Sequence, residues 1–357
     1  MQDPLYFPRQ GLATALIDSL KGGITNAFTL FAPRRMGKTQ FLLRDIAPLA
    51  ETRGFNVFYF SFMDGGTDDF IQALNQFALA VKAAGRAKAA INTITKLEVL
   101  GVGIERQPAQ QSAHTHPSQA IGAIAADGRP SLLLLDEVQE LARKADSEPL
   151  IRSLRTGLDV HWQQVKTIFT GSSTNGLRAI FNDNKAPFFH FAHALDFPVL
   201  GREFTDFLAD TYQERTGRAA DKDAFYQSFE QFDRTPLYMR AVVQDMIISP
   251  NLMLEQAVQY RLREMLGSSG IIADWQQLNA LERLMMRRIA QGQASLYGRE
   301  AIGQISAALG TETKAGSIQA AIRKLERRDL ITKDAGGVWV INSPLMKAWI
   351  EENEPLL

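Results

Sequence analysis

The chain has 357 residues, 45% of them hydrophobic and 22% charged, with lysine plus arginine equal to aspartate plus glutamate at 39 each. That length exceeds one ordinary hydrophobic core, so roughly two or three domains are expected. The lack of net charge excludes a uniformly polyanion-binding molecule, so any nucleic-acid contact needs a local basic surface. There is no cysteine, which excludes disulfides and thiolate-held metal and fits a reducing cytoplasm. The five histidines include His114 and His116, but no second pair stands at ligand spacing, so these two read as a solvated loop. The opening MQDPLYFPRQ lacks a basic stretch followed by an apolar one, so no signal peptide is expected. No window approaches the ~20 apolar residues that cross a bilayer.

In chain order, AFTLF at 27–31 is a short apolar run ending at Ala32-Pro33. The loop PRRMGKT follows, then QFLLRDIAPLA with Phe41, Leu42, Ile46 and Leu49 at helical spacing. FNVFYFSF at 55–62 predicts a second buried strand, and Asp68–Val81 an amphipathic helix. Buried runs alternating with helices predict a parallel sheet, because each crossover needs a helix to cover the sheet face. Residues 83–130, rich in small residues and glutamine, read as an irregular excursion with a candidate hairpin near Leu97–Glu105. The sheet resumes with SLLLLDE at 131–137, VKTIFTGSS at 165–173 and HALDFPVL at 193–200, giving five core strands.

From Arg202 the pattern turns helical, through EFTDFLADTYQERTG, DAFYQSFEQF and LYMRAVVQDMII, with Pro236 placed to open the third. Leu252–Met265 is a further helix, and Gly267-Ser268-Ser269-Gly270 reads as a linker. Beyond it, helices over about 275–291, 298–309 and 315–328 precede LITKDAGGVWVIN, two strands joined by a glycine turn. Helices followed by a β-hairpin make a winged helix. The expected divisions are thus 1–200, 201–270 and 271–357.

The pattern GxxxxGK[ST] is met at 32–39 as Ala-Pro-Arg-Arg-Met-Gly-Lys-Thr, with alanine for the first glycine. Its place between a strand and a helix is the context such a phosphate loop requires. Gly37 lets the backbone approach phosphate without a Cβ, and the loop's N–H groups form an anion nest at a helix N-terminus. The nucleotide-binding candidates are Pro33, Arg34, Arg35, Met36, Gly37, Lys38, Thr39 and Gln40. Lys38 is positioned to reach the β- and γ-phosphates and Thr39 to ligate Mg2+. Asp136, at the end of a strand of four leucines, is the second magnesium candidate. Glu137 is placed to accept a proton from, or orient, an attacking water, which separates a hydrolase from a kinase. Ser172, after the fourth strand, is a candidate γ-phosphate or water contact. Arg178 is a candidate arginine finger in trans, and Arg240 a candidate phosphate contact from the helical region.

FAPRRMGKTQFL, LLLLDEVQEL, FTGSS and the later TPLY together resemble the archaeal-type ATPases on the STAND and AAA+ side of the P-loop NTPases. YFPRQGLATALIDSL is similar to that family's N-terminal segment, without its glycine and glutamate, and AIRKLERRDLI…GGVWVINSPLMKAWI resembles its closing winged helix. The resemblance covers most of the chain except 83–130. It implies a three-layer α/β/α core with a parallel sheet in the order 5-1-4-3-2, a helical lid and a C-terminal winged helix. It also implies ATP and Mg2+ as cofactors. On the 315–328 helix, Arg323, Lys324, Arg327 and Arg328 lie largely away from the apolar face of Ile318, Ile322 and Leu325, and suit double-stranded DNA. A protein partner is the other reading of this region, and a homo-oligomer is a further expectation, because an arginine in trans would complete the nucleotide site. The leading expectation is a cytoplasmic Mg2+-dependent ATPase controlling a DNA or protein partner. The alternatives are a nucleotide-gated switch with negligible turnover and a DNA-binding regulator with ATP as a structural ligand.

Overall fold

The computed structural model describes residues 3–86, 116–142, 147–172, 181, 188, 190–268, 271–293, 296–334 and 336–353. The chain forms two compact units. One comprises Pro8–Ala32 and Gly37–Phe197, the other Met1–Phe7, Pro33–Met36 and Pro198–Leu357.

The first unit is built on a five-stranded sheet. Its strands are β1 (Ala27–Phe31), β2 (Asn56–Ser61), β3 (Ser131–Asp136), β4 (Val165–Gly171) and β5 (His193–Asp196). They lie in the order 5-1-4-3-2, as expected, and every pairing is parallel. β3 and β4 are buried along their whole length because both faces are covered. Leu133, Leu135, Phe58 and Phe169 join one core with residues of the helices Thr67–Arg86, Pro117–Ala125 and Glu148–Val160. Leu132 and Leu134 alternate to the opposite face and are equally buried. Outside that core, Gln10–Lys21 buries Leu16, Ile17 and Leu20, and the helical stretch after β1 buries Phe41, Leu42 and Ile46.

The helix after β1 starts at Lys38 and widens into a π-helical turn over Leu42–Ile46 before Ala47–Thr52. That turn carries Asp45, whose Oδ2 accepts from the Arg9 N–H at 3.0 Å. β5 stops at Asp196 rather than running to 200. Phe197 N–H still donates to Phe31 O at 2.7 Å, but Pro198 has no N–H to continue the ladder. Helix Pro117–Ala125 lies inside what reads as irregular sequence, and Glu148–Val160 follows β3 with Leu150, Ile151, Leu154 and Leu158 buried. The two helices meet at Gly157, where a Cβ would stand 2.8 Å from Ser118 Cα and 2.9 Å from Ile121 Cδ1. The candidate hairpin near Leu97–Glu105 falls outside the described residues.

The second unit is helical except for a hairpin. Its successive helices are Arg202–Thr216, Lys222–Gln231, Pro236–Ile248, Leu254–Ser268, Ile271–Gln276, Ala280–Ala290, Arg299–Leu309 and Ala315–Arg327. One continuous core runs through them, from Phe204, Phe229 and Met239 to Ile305, Ile322 and Leu325. Gly267 and Ser268, expected in a linker, are the last helical residues of Leu254–Ser268, while Ser269 and Gly270 lie outside the described residues. The expected helix 275–291 is broken in two. Asn279 caps the second part by accepting from Glu282 N at 2.9 Å, and Glu282 returns the contact to Asn279 N at 3.2 Å. Strands β6 (Ile331–Lys333) and β7 (Trp339–Ile341) pair antiparallel, and the helix Pro344–Asn353 follows them. Their turn needs Gly337 at φ 79°, and Asp334 Oδ1 accepts from Val338 N–H at 2.8 Å. No described helix is long and apolar enough to cross a membrane.

Candidate functional site

The carboxyl ends of β1, β3 and β4 bring three sequence segments together, as expected where parallel strands feed their loops to one edge of a sheet. After β1 the chain turns through Arg35 at φ 72° and Gly37 at φ 90°. A Cβ on Gly37 would meet no heavy atom within 4 Å. Glycine is required there by the backbone angle and not by crowding, and the space beside it is open to a ligand. Gly37 O accepts from Phe41 N–H at 2.9 Å, so the helix begins immediately. Lys38 is 4% exposed, and its Nζ donates to Ala32 O at 2.7 Å, across the loop.

Asp136, 1% exposed, is the centre of the arrangement. Its Oδ2 accepts from Thr39 Oγ1 at 2.6 Å and from the Tyr59 hydroxyl at 3.1 Å, and its Oδ1 accepts from Thr170 Oγ1. Burial, reinforced by the Asp136 carboxylate, pushes the Tyr59 hydroxyl far above its ordinary range, which keeps it protonated as a donor. The Thr39 and Asp136 oxygens are spaced close to the ~2.9 Å between neighbouring ligands of an octahedral Mg2+. A hard cation that keeps most of its sites for water and phosphate needs only such a pair. Among the described residues, no group of three or more His, Cys, Asp and Glu could hold a metal by itself.

Beyond Asp136 the backbone reverses at Glu137, whose φ of 54° is unusual for a residue with a side chain. Glu137 N–H donates to Thr170 Oγ1 at 3.3 Å and Val138 N–H to Thr170 O at 3.0 Å, which tie the turn to β4. The Glu137 side chain points at Ser172, whose Oγ donates to Oε2 at 2.7 Å. Gln139 Nε2 donates to the same Oε2 and, at 3.2 Å, to Ser172 Oγ.

No protein-family model matches the chain, and no curated protein matches its sequence. Solved structures do match it in fold. A Walker-type ATPase of Pyrococcus abyssi superposes with a TM-score of 0.66 at 17% identity, over 97% of this chain and 96% of its own. The ORC2 protein of Aeropyrum pernix, in its ADPNP–ADP complexes, does so with a TM-score of 0.59 at 13% identity, over 97% and 93%. The ADP form of that protein gives 0.56 at 12%, over 96% and 93%. The fold is that of the Walker-type P-loop ATPases.

Within this Walker-type fold, Lys38, Thr39, Asp136, Glu137 and Ser172 from the sequence reading stand at one sheet edge. The Arg35 guanidinium donates to the Tyr238 hydroxyl and lies 5.2 Å from that ring's centroid. Arg240 is ion-paired with Asp3. Arg178 lies outside the described residues, as does His114; His116 is the residue before the helix Pro117–Ala125. On the helix Ala315–Arg327, Lys324 reaches the buried Glu282 at 2.7 Å, and Arg328, just past its end, contacts Gln277 at 3.1 Å and Asp274 at 3.5 Å. Arg323 and Arg327 are exposed. Tyr59, Thr170 and Gln139 are site residues that the motifs did not single out. Gln139 alone had a legible signal, a polar residue two places after the acidic pair.

Proposed function

We propose that the chain is a Mg2+-dependent ATPase. The reading is carried by the 2.6 Å contact between Thr39 Oγ1 and Asp136 Oδ2, which sets a hydroxyl and a carboxylate side by side at the mouth of a glycine-opened loop. In this reading the loop 33–40 takes the phosphates, with Lys38 swinging from Ala32 O onto them as a point charge. Thr39 and Asp136 hold Mg2+, which when bound neutralises the developing phosphate charge. Glu137 orients and deprotonates the attacking water, and Ser172 holds the carboxylate that does so. The order of helices Ala280–Ala290, Arg299–Leu309 and Ala315–Arg327, then hairpin and last helix, supports reading residues 271–357 as a winged helix. Through it, nucleotide state is proposed to control a double-stranded DNA or protein partner, with the exposed Arg323 and Arg327 as contacts to it. The cysteine-free composition supports residence in the cytoplasm.

The test is steady-state phosphate release from ATP with Mg2+, with and without duplex DNA. Turnover is expected in the parent protein and, for Lys38→Ala and Glu137→Gln, a fall of at least about 100-fold. Tight ATP binding with no turnover in the parent would replace the enzyme by a nucleotide-gated switch.

A further inference from the structure

We infer that Gln139 is a positioning residue that fixes which oxygen of Glu137 faces the reacting water. The inference rests on the proposed role of Glu137 as base. Gln139 is 1% exposed, and its amide is spent at both ends on two residues of the site. Nε2 donates to Glu137 Oε2 and Ser172 Oγ, while Oε1 accepts from the Ser172 N–H at 3.3 Å. With Ser172 Oγ donating to Glu137 Oε2 at 2.7 Å, the three side chains close a ring. Only one amide orientation satisfies it, since a flipped amide would set its oxygen against the carboxylate.

Two donors converge on Oε2, which leaves Oε1 as the oxygen with lone pairs to spend on water. Glu137 also sits on a strained turn at φ 54°, so its side chain leaves the backbone in a direction that β3 alone does not determine. A carboxylate on such a turn has several rotamers, and the Gln139–Ser172 clamp selects one. A buried amide is costly to desolvate; an apolar residue of the same length would fill the space without that cost. The amide is therefore explained by what it holds.

The experiment measures kcat and KM for ATP in the full chain carrying Gln139→Met, Gln139→Glu, Glu137→Gln, and Gln139→Met with Glu137→Gln together. Binding of a fluorescent ADP analogue serves as the check on folding. Gln139→Met is expected to lower kcat about 10- to 100-fold with KM changed by no more than about 2-fold, since the contact matters only to the chemical step. The double variant is expected to match Glu137→Gln alone. Gln139→Glu sets a second carboxylate beside the first, removes the amide donor and is expected to lower kcat as well.

Parent-like kcat in Gln139→Met would overturn the inference. So would a further loss on top of Glu137→Gln, or failure of both Gln139 variants to bind the ADP analogue, which would make the residue a structural prop. Parent-like turnover in Glu137→Gln is a different outcome. It removes the base itself, and the positioning role falls with it whatever the Gln139 variants do.

Discussion

Asp136 collects three hydroxyls, from Thr39, Tyr59 and Thr170, and each comes from a different part of the sheet edge. Of the three, Thr39 alone can be read from a motif, because it follows the phosphate-loop lysine; Thr170 lies within the fourth strand and carries no such signal. Tyr59 carries none either, since an aromatic residue in FNVFYFSF is indistinguishable from core until β2 is laid beside β3 with Ser61 opposite Asp136. Its phenol carries a consequence for stability against pH. The folded protein holds the Tyr59 proton more tightly than the unfolded chain does. The associated stability is therefore fully present below the ordinary tyrosine value of 10.0 and is lost as pH rises above it. Tyr59→Phe cannot ionise there. At neutral pH it is expected to cost about 0.5–1.5 kcal/mol, the worth of one hydrogen bond. Melting temperatures followed from pH 7 to above pH 10 should show the parent falling more steeply than the variant, and parallel curves would refute the assignment.

At the scale of elements, the packing of Pro117–Ala125 against Glu148–Val160 turns on Gly157. Alanine is ordinarily better than glycine inside a helix by ~1 kcal/mol. Here its methyl would meet the backbone at Ser118 Cα as well as the Ile121 side chain, and backbone cannot rotate away. Gly157→Ala is expected to be net destabilising, by about 1–3 kcal/mol, in a denaturant titration; a stabilised variant would mean that the helices separate freely. The same pair marks the boundary of what patterning reveals. The core strands, the phosphate loop and the acidic strand end are legible because long apolar runs and fixed spacings are local signals, whereas the strand order follows only from the family resemblance. Pro117–Ala125 was not, because its small residues become a buried face only once a neighbouring helix lies close enough to need them. The break at Asn279 was missed for the opposite reason. The apolar periodicity continues through it, while the capping exchange with Glu282 is what ends one helix and starts the next.

At the scale of the molecule, the four cations chosen from the sequence as a DNA-facing set divide into two pairs. Lys324 compensates the buried Glu282 and Arg328 is engaged with Asp274 and Gln277, so both serve the fold. Changing Arg323 and Arg327 together to alanine is expected to weaken duplex DNA binding and flatten its dependence on salt by about two counterions. Changing Lys324 is expected to lower thermal stability instead, because it leaves the buried Glu282 carboxylate without its counter-ion, held only by its hydrogen bonds to Asn279. An unaltered salt slope in the double variant would exclude these two arginines as phosphate contacts. The discontinuous makeup of the helical unit bears on how the chain is made. Asp3 waits for Arg240, 237 positions later, and Phe7 for Phe204 and Phe207, at ring distances of 5.9 and 5.4 Å. On the ribosome, the unit of Pro8–Ala32 and Gly37–Phe197 can collapse around its sheet while the leading residues stay unmatched. They dock only after the tail has been translated, so vectorial synthesis gives the two units a temporal order.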